Sequence, residues 1–355
     1  LVNFTIKPGV NKEVTDYTAQ GQWVDSDNVR FFQGLPQKIG GWSKFVATYL
    51  VGVARDVHAW MSLDGTRFLA YGTDRKLYVY AEGVTHDITP IRSTETLSNP
   101  FTVLNGNTTV TVADTAHGAD KGDFVTYTGA SVAFGLDFNK EFEIQSIVNT
   151  AAYTIVFTDG SSPSGGGTGG GTVTAKYQIN IGPSLSEFGF GWGTGTWGDS
   201  TWGTSRTTSN TTIAARQWSL DNFGEDLIAT VLNGGTFKWD LSAGVGVRAV
   251  AIPNAPTQSR SNLVSTPDRH LLLFGTQPTI GTPGQDDLLI RFSNQEDIET
   301  YAATAENTAG SLRIADGSRI IGATRSRGAI MVWTDTSLHA LQFIGPPFTF
   351  GLRQL

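Results

Sequence analysis

The chain has 355 residues, no cysteine, and a formal net charge of -7 from interspersed charges. That length is enough for two or three domains with ample core. The lack of Cys excludes a disulfide framework, a thiolate zinc site and cysteine catalysis, and no basic run of five or more is present to neutralise phosphates.

Composition sets the class. Forty-two Gly, 20 Phe, 9 Trp and 9 Tyr, with many Thr and Ser, make an all-β chain. Strands favour β-branched and aromatic residues, and Gly supplies the turns between them. No long run of helix formers with a 3.6 period occurs. Apolar runs such as Ile330-Met331-Val332-Trp333 are too short to span a membrane. No charged-then-apolar leader opens the chain. Starting on Leu1 rather than Met, the sequence reads as a portion of a longer protein, made in the cytoplasm and then assembled.

Residues 1–54 form an N-terminal segment. It holds a Pro8-Gly9 turn, a Gly21-Gln22-Trp23 step, Asp25 and Asp27, Val29-Arg30-Phe31-Phe32, Gly34-Leu35-Pro36 and Gly40-Gly41-Trp42. The segment is dense in aromatics and turns. Trp23, Phe31, Phe32 and Trp42 are its candidate anchors at a subunit interface or as a latch, since buried aromatics dominate interfaces.

A repeat begins at 55–96. Trp60 to Gly65, Arg67 to Gly72 and Leu77 to Tyr80 read strand, Asp turn, strand, turn, strand. The pattern returns at Gln217 to Asp240, at Asn262 to Phe292 and at Ile320 to Leu341. The middle strands start at Arg67, Asp226, His270 and Ala329, in steps of 159, 44 and 59 residues. Without the foreign segments 97–180 and 181–212, the first step falls to about 43, near the ~40–45 residues of one propeller blade. The predicted fold is therefore all-β: a β-propeller body whose blades occupy 55–96 and 213–355 and whose ring needs more chain than this. A β-sandwich with recurring hairpins is the rival arrangement.

Residues 97–180 depart from the repeat. Thr109 to Val112, Asp123 to Tyr127, Glu141 to Val148, Tyr153 to Phe157 and Gly171 to Ile179 read as short strands. They predict a small β-barrel or sandwich inserted between blades, with a Gly/Ser-rich tip at 159–171. Residues 181–212 are a Gly/Trp-rich loop. Trp192, Trp197 and Trp202 recur every five residues, which suits neither strand nor helix. They anchor the loop on the body or on a neighbouring subunit, or else form a platform for sugar rings.

The run from Pro8 to Trp42, and again Gly328 to Gly351 ("GAIMVWTDTSLHALQFIGPPFTFG"), resembles the tail nozzle (tail tube hub) proteins of short-tailed bacteriophages. The resemblance implies a structural virion protein of the tail. It implies a ring of identical copies, a hexamer, below the portal and adaptor. Such a ring extends the ejection channel, contacts tail fibres, and retains DNA until release without tight binding. It also implies no cofactor, no membrane insertion by this chain and no enzymatic activity.

No catalytic template is visible. The five histidines His58, His86, His117, His270 and His339 lie near no Gly-x-Ser-x-Gly elbow and show no His-Glu-x-x-His spacing. His58, His270 and His339 are expected in strands. Ser62-Leu63-Asp64-Gly65 and Ser219-Leu220-Asp221-Asn222-Phe223-Gly224 miss the Asp box of sialidase propellers by one residue in opposite directions. Both are expected to be tight turns capped by their own Asp. Asp114, Asp120 and Asp123 lack the Gly and terminal Glu of a calcium loop. The main alternative is a carbohydrate-binding or carbohydrate-degrading propeller that uses the three loop tryptophans.

Overall fold

The computed structural model describes residues 6–41, 43–46, 48–180, 182, 186, 214–266 and 268–355. The chain divides into two compact units, Leu1–Tyr49 and Leu50–Leu355. The described residues are all-β, with one short 3-10 turn at Leu241–Ala243.

In the first unit β1 (Lys7–Val10) pairs in parallel with β2 (Gln22–Trp23), and β3 (Val29–Phe32) forms a hairpin with β4 (Leu35–Lys38). The hairpin turn is Gln33-Gly34, with φ of 50° and 80°. Two successive positive φ values match the right-handed twist of the flanking strands, and Gly takes one without steric cost. Among the unit's described residues only Ala19 is buried.

Among its described residues the second unit holds four four-stranded antiparallel meanders and one eight-stranded sheet, none closed into a barrel. Sheet I is β5 (Ala54–Met61), β6 (Arg67–Thr73), β7 (Leu77–Ala81) and β8 (Val84–Asp87). The eight-stranded sheet follows. It consists of β9 (Ile91–Ser98), β10 (Phe101–Val103), β11 (Thr109–Ala113), β12 (Phe124–Thr128), β13 (Glu141–Asn149), β14 (Ala152–Val156), β15 (Gly167–Gly169) and β16 (Thr172–Gln178). Sheet II is β17 (Trp218–Phe223), β18 (Asp226–Val231), β19 (Thr236–Trp239) and β20 (Val250–Ala251). Sheet III is β21 (Ser261–Val264), β22 (Leu271–Thr276), β23 (Asp286–Phe292) and β24 (Gly310–Arg313). Sheet IV is β25 (Ile320–Ser326), β26 (Ala329–Thr334), β27 (Leu338–Gly345) and β28 (Thr349–Gln354).

The meanders pack face to face in chain order. Trp60, Phe68, Ala70 and Val79 of sheet I share a core with Trp218, Leu227, Ala229 and Trp239 of sheet II. On the other side of β18, Ile228 joins Val264, Leu271 and Leu273 of sheet III. Leu272, Phe274 and Ile290 then meet Ile330, Val332 and Leu341 of sheet IV. This explains why β22 reads Leu-Leu-Leu-Phe without alternation: sheet III is covered on both faces, so both faces of its strand are apolar. At the first junction the chain comes close. A Cβ at Gly72 would sit 2.5 Å from the Trp218 ring, whose Nε1–H donates to Thr73 O at 2.8 Å.

The eight-stranded sheet wraps a core of its own. Its strand order is β15-β10-β11-β14-β13-β12-β16-β9. The two ends are the halves of one bent ladder: β9 pairs with β16, and β10 pairs with β15. The bend falls at Asn99, with φ of 45°, facing Gly170 and Gly171, with φ of 112° and 68°. Asn99 and Gly171 lock the corner, Asn99 N–H to Gly171 O at 2.7 Å and Gly171 N–H to Asn99 Oδ1 at 2.9 Å. Phe101 of β10 therefore meets Tyr127 of β12 edge-on at 5.0 Å, across a core rather than along a sheet. A hydroxyl chain crosses that core. Tyr127 and Tyr153 are 2.5 Å apart, Tyr153 and Tyr177 are 2.7 Å apart, and Tyr177 donates to buried Asp114.

A half-buried charge cluster centred on buried Lys76 holds this sheet against sheet I. Lys76, 3% exposed in the turn before β7, reaches Asp87 at 2.9 Å and Glu141 of β13. Arg248 bonds Asp87 at 3.2 Å, and Arg75 pairs with Glu143 at 2.5 Å. Lys76 and Arg75 also lie over the Phe124 ring, at 4.4 Å and 5.2 Å. Burial pushes the Asp87 carboxyl up, but the Lys76 and Arg248 charges outweigh it and hold it below the usual carboxylate range.

Candidate functional site

Two features stand out, the uncovered apolar side chains of the N-terminal unit and a polar seam along the first strands of the meanders. Of the sequence-predicted anchors, Trp23 and Phe31 are half-buried and touch edge to face, with centroids 5.9 Å apart. That contact links the two small sheets of the unit to each other. Phe32 points outward at 55% exposure, beneath the Arg30 guanidinium at 5.5 Å. Trp42, Trp192, Trp197 and Trp202 lie outside the described residues. Sequence reasoning overlooked Tyr17, Leu35 and Tyr49, which are 92%, 70% and 83% exposed. Their scattered spacing gave no periodic signal. An unusual content of large apolar residues in a segment without alternating runs was the available hint.

The seam joins sheets I to IV. Asp56 Oδ2 on β5 accepts from Leu220 N–H on β17 at 2.8 Å, and His58 Nε2 lies 3.0 Å from Asn222 Oδ1. One junction on, Asp221 Oδ2 accepts from Val264 N–H on β21 at 2.7 Å. Asn262 Nδ2 donates to Ser219 O and Thr230 Oγ1, both at 2.8 Å. Arg325 of β25 donates from Nε to Val264 O at 2.7 Å and pairs with the Asp221 carboxylate. Burial raises the Asp56 carboxyl above its ordinary value, against the lowering by the Leu220 and Val57 amides. Asp56 and Asp221 do the same work at successive junctions: each spends a carboxylate on a backbone donor that the next sheet would otherwise leave unpaired.

Here the structure corrects one expectation. Asp64 does cap its own turn, accepting from Thr66 N–H at 2.8 Å. Asp221 does not. It lies inside β17 and serves the neighbouring sheets, because the hairpin turn falls later, at Gly224-Glu225. Histidines 58 and 339 lie in strands β5 and β27, whereas His270 precedes β22 by one residue. His270 is fully buried against Phe343 and Phe350, and burial lowers its pKa. His117 is held by Asn149 O at Nε2 and by Ala119 N–H at Nδ1, which fixes the neutral Nε2–H tautomer.

The seam contains carboxylates, an imidazole and a guanidinium, the ingredients of acid–base chemistry. Each of these groups already has a protein partner across a sheet junction. A cleft of 210 Å³ opens beside it between sheets III and IV, lined by Asp268, Arg325, Leu341, Phe343 and Phe350. It is below the roughly 300–1,000 Å³ of ordinary ligand pockets. Among the described residues no group of three or more His, Asp or Glu is placed to hold a metal ion, and no helix is long and apolar enough to cross a membrane.

No protein-family model and no curated protein matches the chain. Among solved structures, a phage phi92 endosialidase is similar over 81% of this chain and 41% of its own, at 11% identity and a TM-score of 0.26. The chain thus spans less than half of that structure, and a superposition this loose carries no argument about fold or activity.

Proposed function

We propose that this chain is a structural protein of a phage virion, of the tail-nozzle type. Six copies form a ring that extends the ejection channel below portal and adaptor, contacts tail fibres and passes DNA without gripping it. In this reading sheets I to IV are blades of a β-propeller, and the eight-stranded sheet is an insertion between the first and second. Support comes from the resemblance over Pro8 to Trp42 and Gly328 to Gly351, and from four meanders of the same construction packed in chain order. The observation that carries it is the N-terminal unit. Two two-stranded sheets with Ala19 as the one buried residue among those described bury too little apolar surface to hold themselves together. Exposed Tyr17, Phe32, Leu35 and Tyr49 are what a neighbouring subunit would cover. The test is deletion of residues 1–42, with particle mass read by light scattering and shape by negative-stain imaging. The full chain should form rings and the shortened chain a folded, unassembled body. Rings from the shortened chain would refute the reading.

A further inference from the structure

The cleft between sheets III and IV has a lining of two chemical kinds. Part of it is aromatic and aliphatic. Phe343 and Phe350 of the β27–β28 hairpin meet edge to face at 5.7 Å, and Leu341 continues that surface. Buried His270 backs both rings, at 5.6 Å and 5.2 Å, so they are held in place before any ligand arrives. Phe343 nevertheless keeps 36% exposure.

The rest of the lining is polar and only partly satisfied. Asp268 accepts from Ser265 Oγ through Oδ2 at 3.1 Å. Among the described residues its carboxylate has no other hydrogen bond and no ion pair, which leaves Oδ1 as an open acceptor. Arg325 gives Nε to Val264 O and Nη2 to Asp221, whose charge matches its own. Its Nη1 has no partner among the described residues. Ser326 adds an exposed hydroxyl at the rim.

Size and chemistry together narrow the occupant. At 210 Å³ the space exceeds the roughly 150 Å³ that takes a benzene ring and falls short of an ordinary ligand pocket, so it suits one six-membered ring. That ring must offer an acceptor to Arg325, a donor to Asp268 and C–H groups to Phe343. A purely apolar group would strip water from the carboxylate and the guanidinium without replacing its hydrogen bonds, which is costly. A cation meets Asp268 but faces Arg325, and an anion meets Arg325 but faces Asp268. A hydroxyl both donates and accepts. A pyranose carries one on most of its carbons, and its C–H face suits the electron-rich face of a Phe ring. We infer that this cleft binds one uncharged pyranose unit of a glycan. The site is separate from Trp192, Trp197 and Trp202, and it stands or falls without the nozzle reading.

The test uses the full chain with free glucose, galactose, mannose and N-acetylglucosamine in saturation-transfer NMR. At least one sugar should take up saturation on its ring C–H protons, with the millimolar affinity of a single small ring. Ser326→Trp fills the cleft from its rim, and Phe343→Ala removes the aromatic surface. Each should weaken binding by about tenfold or more, with thermal melting showing that the fold is kept. Asp268→Ala, in an exposed turn, should weaken the sugars by about tenfold as well, but not cyclohexanol, whose single hydroxyl should already make it the poorer ligand of the intact protein. Saturation of none of the four sugars would overturn the inference. So would sugar binding that survives both Ser326→Trp and Phe343→Ala, cyclohexanol bound as tightly as the best sugar, or glucuronate bound more tightly than glucose.

Discussion

Glu141→Gln probes how firmly the eight-stranded sheet is held to sheet I. Glu141 accepts from Gln178 Nε2 at 2.6 Å, pairs with Lys76, and has Arg248 at 3.8 Å. Lys76, Arg248, Asp87 and Glu141 carry two charges of each sign. The amide keeps the shape but leaves two cations facing one carboxylate. Stripping one partner from a buried pair costs about 3–5 kcal/mol. Glu141 is 30% exposed and Lys76 keeps Asp87, so about 2 kcal/mol is expected. The assay is equilibrium urea denaturation followed by tryptophan fluorescence, with Lys76→Met and the double variant completing a cycle. A coupling of about 1 kcal/mol or more should appear, only modestly reduced by added salt, because Lys76 is buried and Glu141 half-buried. Additive single variants, or a Glu141→Gln loss below about 0.5 kcal/mol, would refute the clamp. Replacing residues 97–180 by a Gly-Ser linker should then leave the meanders folded but cost a similar amount, as Lys76 loses Glu141 and Phe124.

Other outcomes follow from single residues. Gly72→Val drives a side chain into the Trp218 ring and should destabilise by about 1–3 kcal/mol in the same denaturation assay, whereas Gly322→Val should not. Burial pushes the Asp123 carboxyl up to about 6, although the Asp120 N–H donates to it at 2.9 Å and partly offsets the rise. The folded state then holds the proton more tightly than the unfolded chain, so this group lowers stability as pH rises from about 4 to 6. Asp123→Asn should remove up to about 3 kcal/mol of that decline, seen as a flatter difference curve against wild type. Tyr177→Phe leaves Asp114 buried without its hydroxyl donor and should cost about 1–3 kcal/mol by thermal melting. With a net charge of -7 and no basic run, the protein should shift duplex DNA in a gel only weakly and without sequence preference. Tight, salt-sensitive binding would contradict a channel that lets DNA slide.

Strand identity was legible because it is local. Arg67, Asp226 and Ala329, read as the starts of middle strands, open β6, β18 and β26, and His270 stops one residue short of β22. Turn residues and alternating apolar positions act within a few residues, so the amino-acid order alone specifies all-β meanders. The polar seam was not legible. Asp56 and Asp221 differ in their distance from their own hairpin turns, and only the stagger of packed sheets brings each opposite a backbone N–H of the next. The same holds for the charge cluster. Lys76 and Glu141 are 65 residues apart, and each alone reads as an ordinary surface charge. The sequence by itself determined which stretches are strands and which of their faces are apolar. Tertiary structure decided which faces meet and which charges become partners, because those depend on how whole sheets stack rather than on any residue's neighbours in the chain.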